Sequence, residues 1–181
     1  GLLILGISRE ATRRLSYFLK LDKEYIATLR LGAESDTFDK EGKIFKRQVK
    51  EIPSLKKIKE VLKSFVGEIE QIPPIFSAKK IKGKKACDLV REGKGVELKP
   101  QKVKIYKISL LKYKFPFLTI KIECSSGTYI RSLASDIGKK LSCGAYLENL
   151  VRKKIGQLSL ENAVSLFDLS SENWQNYLIK I

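Results

Sequence analysis

Apolar residues recur along the chain at two spacings, and the places where one spacing gives way to the other delimit the elements. In "SREATRRLSYFL", Ala11, Leu15, Phe18 and Leu19 fall on one helical face behind Ser8, whose hydroxyl suits an N-cap. The next stretch, "EYIATLRLG", alternates instead. Tyr25, Ala27, Leu29 and Leu31 lie on one side and Ile26, Thr28 and Arg30 on the other, which is the period of a strand. "ESDTFDKEGKIF" carries the acidic, hydroxyl and glycine residues of a loop before a second strand. "SLKKIKEVLKSFVG" returns to helical spacing, with Ser54 as the cap and Leu55, Ile58, Val61, Leu62 and Phe65 as the buried stripe. Such a stripe needs a sheet to cover.

"QIPPIFSAKKIKGKKACDLVREGKG" opens on a Pro-Pro pair that bars helix, then turns basic. Leu89 and Val90 read as a short helical piece ended by Gly93, so this stretch is expected to leave the core. "VKIYKISLL" and "LTIKIEC" have strand character, the second with Leu118, Ile120, Ile122 and Cys124 on one face. Ser125, Ser126 and Gly127 break that strand, and Ile130, Leu133, Ala134, Ile137 and Leu141 then repeat at helical spacing. Tyr129 and Arg131 therefore sit at a strand-to-helix junction. From the pattern alone, a half-buried aromatic packed on the helix for Tyr129 and a surface cation for Arg131 are the plain reading; a cation early in a helix opposes the macrodipole, which modestly disfavours Arg131 as a helix-stabilising choice. Further helices are expected at "AYLENLVRKK" and "ENAVSLFDL".

A chain of 181 residues supports one domain with a real core, burying roughly 70% of its unfolded surface. No run of about 18 apolar residues occurs. A soluble, cytoplasmic protein is expected. "GLLILG" begins inside what reads as a buried strand and Gly1 is not an initiator methionine, which suggests a portion of a longer protein. Cys87, Cys124 and Cys143 are odd in number and form no C-x-x-C pair, so neither a disulfide framework nor a zinc site is indicated. The chain has no histidine, which removes the commonest metal ligand and general base and favours chemistry without cofactor or metal.

The net charge is +16. It is clustered: residues 77–112 hold twelve basic residues against Asp88, Glu92 and Glu97. A solvated lysine face is the plain alternative, but clustering of this kind fits the counterion-releasing footprint of a nucleic-acid partner better.

Three stretches, "DKEYIATLRLGAESDTFDKEG", "QIPPIFSAKKIKGKKACDLVREGK" and "SSGTYIRSLASDIGKKLSCGAYLENLVR", in this order and spacing, closely resemble the TruB family of bacterial tRNA pseudouridine synthases. The resemblance runs from Gly1 to about Leu166. It implies an α+β pseudouridine synthase fold, a mixed, mostly antiparallel central sheet flanked by helices. Residues 1–181 would form a single catalytic domain with a basic thumb insertion from about Pro74 to Lys102. It implies conversion of uridine 55 in the T-loop of tRNA to pseudouridine without a cofactor: a catalytic aspartate attacks, and the base detaches, rotates and rejoins through carbon.

The resemblance also assigns roles. Tyr25 would stack on the flipped base and handle protons, Tyr129 would wall the pocket, Arg131 would hold the catalytic carboxylate, and Leu150 would form an apolar floor. Lys23, Asp39, Lys79, Lys80, Lys82, Lys84, Lys85, Arg91 and Arg152 would contact the tRNA T-arm; for Asp39, capping a loop turn is equally plausible. Departures from the family are informative. Its nucleophile lies in a G-T-L-D-P motif about five residues ahead of the position of Gly1, and this chain does not contain that motif, so the chain alone is expected to be inactive. Phe76 replaces a common tyrosine and Ser142 a common glycine, both tolerable, and no room remains for the small RNA-binding PUA domain of many relatives. A monomer is expected. A non-catalytic tRNA-binding or RNA-chaperone protein is the alternative.

Overall fold

The computed structural model describes residues 1–74, 80–81, 84–85 and 98–179, with backbone alone for 80–81 and 84–85. Its centre is a six-stranded sheet in the order β10-β9-β1-β8-β7-β4, formed by β1 (Lys23–Leu31), β4 (Gly67–Gln71), β7 (Gln101–Lys114), β8 (Phe117–Cys124), β9 (Ala145–Ile155) and β10 (Leu158–Ser159). Every pairing between these strands is antiparallel. Two small hairpins, β2 (Ala33–Ser35) with β3 (Ile44–Lys46) and β5 (Lys80–Ile81) with β6 (Lys84–Lys85), complete the described strands.

One face of the sheet is the core face. Ala27, Leu29 and Leu31 of β1 and Leu118, Ile120, Ile122 and Cys124 of β8 are buried there, as their alternation requires. Two helices cover it: α2 (Leu55–Lys63) with Ile58, Val61 and Leu62, and α3 (Ile130–Lys140) with Ile130, Leu133, Ala134 and Ile137. Ser54 caps α2, its hydroxyl accepting from the Lys57 N–H at 3.3 Å. The third of the described α-helices, α1 (Arg9–Lys20), is capped by Ser8, which accepts from the Ala11 N–H at 3.2 Å. Phe18 of α1 joins Leu2 and Ile155 in a satellite cluster. Gly138 of α3 has no space for a side chain, since a Cβ there would collide with the backbone nitrogen of Ala145 at the start of β9.

Several expectations are corrected. "AYLENLVRKK" is not a helix but most of β9. "ENAVSLFDL" contributes only to a 3-10 turn at Leu160–Asn162; Leu166 and Phe167 beyond it are 74% and 100% exposed, and a helix without a face to bury gains little. "GLLILG" forms no strand: Leu2 is buried while Leu3, Leu5 and Ile7 are exposed. Within α1, Leu19 is exposed, as is Leu55 at the start of α2. The short helix around Leu89 and Val90 lies outside the described residues. No helix among the described residues is long and apolar enough to cross a membrane.

Candidate active site

Tyr25, Leu150 and Arg152 share the core face of the sheet. Tyr25 on β1 stands opposite Arg152 on β9, and Ala27 opposite Leu150. Two register shifts, between Glu24 and Tyr25 and between Thr28 and Leu29, put one extra residue each into β9. Glu148 is the extra residue of the second, and it brings Leu147 and Leu150, three apart in sequence, to the same face. Burial pushes the pKa of the Tyr25 hydroxyl above its ordinary value; the Cys124 thiol adds to this, and a hydrogen bond and the charge of Arg152 oppose it. Tyr25 is therefore a neutral phenol at physiological pH.

The second half of the site comes from the junction of β8 and α3. Cys124 ends β8, and Gly127 adopts φ +79°, a conformation that costs glycine little. Three ties hold this turn to the sheet: Ser125 N–H donates to the Lys104 carbonyl at 2.8 Å, the Lys104 N–H donates to Ser125 Oγ at 2.9 Å, and Gln101 Nε2 donates to the Gly127 carbonyl at 2.8 Å. Tyr129 then occupies the N-cap position of α3, and its side chain caps nothing. Gln71, 1% exposed, clasps its backbone: Tyr129 N–H donates to Gln71 Oε1 at 2.8 Å and Gln71 Nε2 donates to the Tyr129 carbonyl at 3.0 Å. One turn on, Ser132 Oγ donates to the Ile72 carbonyl at 2.9 Å.

Arg131, in the first turn of α3, donates from Nη1 to Asp39 Oδ2 at 2.8 Å, with both side chains largely buried. The other oxygen of Asp39 organises its own loop, accepting from Thr37 Oγ1 at 2.6 Å and from the Glu41 N–H at 3.2 Å. That loop is docked on β9: Asp39 forms an isolated parallel bridge with Leu147, Leu147 N–H donates to the Phe38 carbonyl and Lys40 N–H to the Leu147 carbonyl. Asp39 thus both caps a turn and pairs with Arg131 beside Leu147, which is why a cation is tolerated at this helix start.

Lys23 has a different place. Its ammonium donates to the carbonyls of Phe18 at 3.2 Å, Leu19 at 2.6 Å and Leu21 at 2.6 Å, so all three donors close the C-terminal end of α1. Arg152 also reaches inward, Nε donating to the Leu2 carbonyl at 2.9 Å while its own carbonyl accepts from the Leu2 N–H at 2.8 Å. Lys79, Lys82 and Arg91 lie outside the described residues, and of Lys80, Lys84 and Lys85 only the backbone of the β5–β6 hairpin is described. Gln71, Gln101 and Ser132 were missed in the sequence. Gln71 carried a signal, since it falls on the buried phase of β4 with Ile69, where a polar side chain requires partners.

Solved structures share this fold. A Cbf5-Nop10-Gar1 complex superposes with a TM-score of 0.66 at 28% identity, over 94% of this chain and 42% of that one. An H/ACA RNP bound to a substrate RNA containing 2'-deoxyuridine superposes with a TM-score of 0.62 at 25% identity, over 94% of this chain. The chain has the pseudouridine synthase fold. Residues 1–130 match the family described as TruB family pseudouridylate synthase (N terminal domain), and the chain belongs to that family. It is 48% identical over its full length to tRNA pseudouridine synthase B of Aquifex aeolicus, and 48% identical over 91% of its length to the protein of that name in Protochlamydia amoebophila. It spans 63% and 62% of the length of these two relatives.

Proposed function

We propose that the chain is the body of a tRNA pseudouridine synthase acting on uridine 55 of the T-loop. The observation that carries this is the Arg131–Asp39 pair set beside the face that holds Tyr25 and Leu150. A guanidinium has five N–H donors, and the one given to Asp39 leaves a fork that can hold a second carboxylate ionised and aimed. The flipped uracil stacks on the neutral ring of Tyr25, Tyr129 closes the other side, and Leu150 keeps water from the intermediate. The reaction is an isomerisation. The bond from the ribose carbon to N1 breaks, a bond to carbon 5 forms, carbon 5 gives up its proton and N1 gains one, so no oxidant or reductant is needed.

The nucleophilic aspartate belongs to a G-T-L-D-P segment that these 181 residues do not contain. Such a segment joined ahead of Gly1 would enter beside Arg152, which already holds Leu2 by two hydrogen bonds and faces Tyr25. RNA affinity rests on the basic thumb, Lys79, Lys80, Lys82, Lys84, Lys85 and Arg91, with Arg152 at the pocket. The protein acts as a cytoplasmic monomer.

Release of the carbon-5 hydrogen from labelled uridine in a T-arm stem-loop tests this. Turnover is expected when the G-T-L-D-P segment is supplied and none from residues 1–181 alone. Turnover by the 181 residues alone would refute the placement of the nucleophile, and RNA binding without turnover in the extended chain would leave a non-catalytic RNA-binding protein.

A further inference from the structure

The face of the sheet opposite the pocket carries an uneven distribution of charge. Strand β7 lays Lys102, Lys104, Lys107, Lys112 and Lys114 along that face; the register shifts at Ile105/Lys107 and Leu110/Lys112 keep the five in phase. At one end of the row these charges are matched. Lys102 and Lys104 stand opposite Glu70 and Glu68 on β4, Lys107 stands opposite Glu123 on β8, and Lys121 beside the row is paired with Glu24 at 2.9 Å.

At the other end, where β7 turns into β8, the pattern stops. Lys112 and Lys114 stand opposite Thr119 and Phe117, and Arg30 of β1 stands opposite Phe117 from the other side. None of these three cations makes a salt bridge among the described residues; Arg30 also hydrogen-bonds Tyr146, which meets the Glu148 carboxylate, while Lys112 and Lys114 have no carboxylate opposite them. Phe117 is 41% exposed with the Arg30 guanidinium over its ring, 5.6 Å from the centroid. Hollows of about 500 and 440 Å³ flank the Phe115–Pro116 turn, the first reaching Arg30 and the second Lys112, Lys114 and Phe117.

We propose that this hairpin end is a second RNA-contact surface, taking phosphates on Lys112, Lys114 and Arg30 and one unstacked base on Phe117 and the Arg30 plane. Two unmatched lysines and a guanidinium around an exposed aromatic ring are the composition that single-stranded RNA selects, charge for the backbone and a stacking platform for a base. A solvated face would show its carboxylates spread evenly; along β7 none stands opposite Lys112 or Lys114. The surface lies on the face opposite Tyr25 and at the far end of β8, roughly 23 Å along the strand from Cys124, so it meets a part of tRNA outside the T-arm hairpin that occupies the pocket. The inference rests on the RNA-substrate reading above.

The test compares affinities of the 181-residue chain for a whole tRNA transcript and for the isolated T-arm stem-loop, by fluorescence anisotropy across a salt series. The variants are K112E/K114E, F117A, and K102E as a control in the matched end of the row. The wild type is expected to bind whole tRNA about tenfold more tightly than the stem-loop. K112E/K114E should erase that difference and lower the salt slope by about 2, F117A should reduce it at unchanged slope, and K102E should leave it intact. Wild-type affinity for whole tRNA in K112E/K114E and F117A overturns the inference alone. Binding of neither RNA by the wild type overturns the substrate reading and this inference with it. Self-association that F117A abolishes, with tRNA affinity unchanged, assigns the surface to a second copy and also overturns it. Unfolding midpoints of all variants establish that each is folded.

Discussion

The side-chain amide of Gln71 makes both hydrogen bonds that a peptide group can offer, with the N–H and the carbonyl of Tyr129, 58 residues away in sequence. A helix start that lacks a side-chain cap is thereby tied to the end of β4, and the direction in which Tyr129 and Arg131 leave the sheet is set by that tie. Gln71→Leu keeps the volume and removes both bonds, leaving the Tyr129 N–H without an acceptor in a dry setting. Urea unfolding should show a loss of about 2 kcal/mol. In a chain carrying the G-T-L-D-P segment, turnover should fall with little change in RNA affinity. Unchanged stability would remove the clasp as a structural element.

In a chain carrying the G-T-L-D-P segment, Arg131→Lys should lower turnover sharply at nearly constant affinity for the stem-loop, because an ammonium cannot hold Asp39 and a second carboxylate in one plane. Asp39→Asn should share part of that loss and also loosen its loop, since Oδ1 receives Thr37 and Glu41. Single-turnover kinetics with a binding titration separates the two. Wild-type turnover in Arg131→Lys would end the assignment.

Neutralising Lys80, Lys82 and Lys84 together to alanine should reduce the slope of log affinity against log salt by about 2 to 3, as each phosphate contact releases close to one counterion. An unchanged slope would take the thumb out of the interface.

Burial pushes the Cys124 thiol from its ordinary 9.0 up to about 11. The folded state therefore holds this proton more tightly than the unfolded chain does. The linked stability is fully present below pH 9 and is lost as pH rises toward 11, a contribution of about 2 to 3 kcal/mol at the extreme. Denaturation between pH 8 and 11 should fall more steeply for the wild type than for Cys124→Ala, and parallel curves would contradict the burial of that thiol.

The elements with unbroken periods were legible. β1, β8, α2 and α3 lie where the spacing of Ala27 to Leu31, Leu118 to Cys124, Ile58 to Leu62 and Ile130 to Ile137 put them, since each buries the face its period defines. β9 was misread for a physical reason. Its extra residue at Glu148 makes Leu147 and Leu150 fall three apart, which imitates a helical repeat. In the site, the positions of Tyr129 and Arg131 at a strand-to-helix junction followed from pattern, and the roles proposed for them from the family resemblance. The partnership of Arg131 with Asp39 could not be read, because it joins residues 92 apart through a loop docked on β9. The place of Lys23 at the end of α1 could not be read, because a cation's spacing does not tell whether its donors face solvent or a helix end.

The bulge at Glu148 also separates spacing in the sequence from position on the sheet. Leu147 and Leu150 are three apart yet stand opposite Leu29 and Ala27, on the side of Tyr25, because β9 alone takes up the extra residue. Removing Glu148 would leave those two leucines two apart, the ordinary strand spacing, so Leu150 would still stand opposite Ala27 and Arg152 opposite Tyr25. Straightening the bulge with Glu148 kept would instead set Asn149 opposite Ala27 and Val151 opposite Tyr25, turning Leu150 and Arg152 to the other face. A chain one residue shorter at this point therefore presents the same leucine, whereas one that pairs every residue there does not.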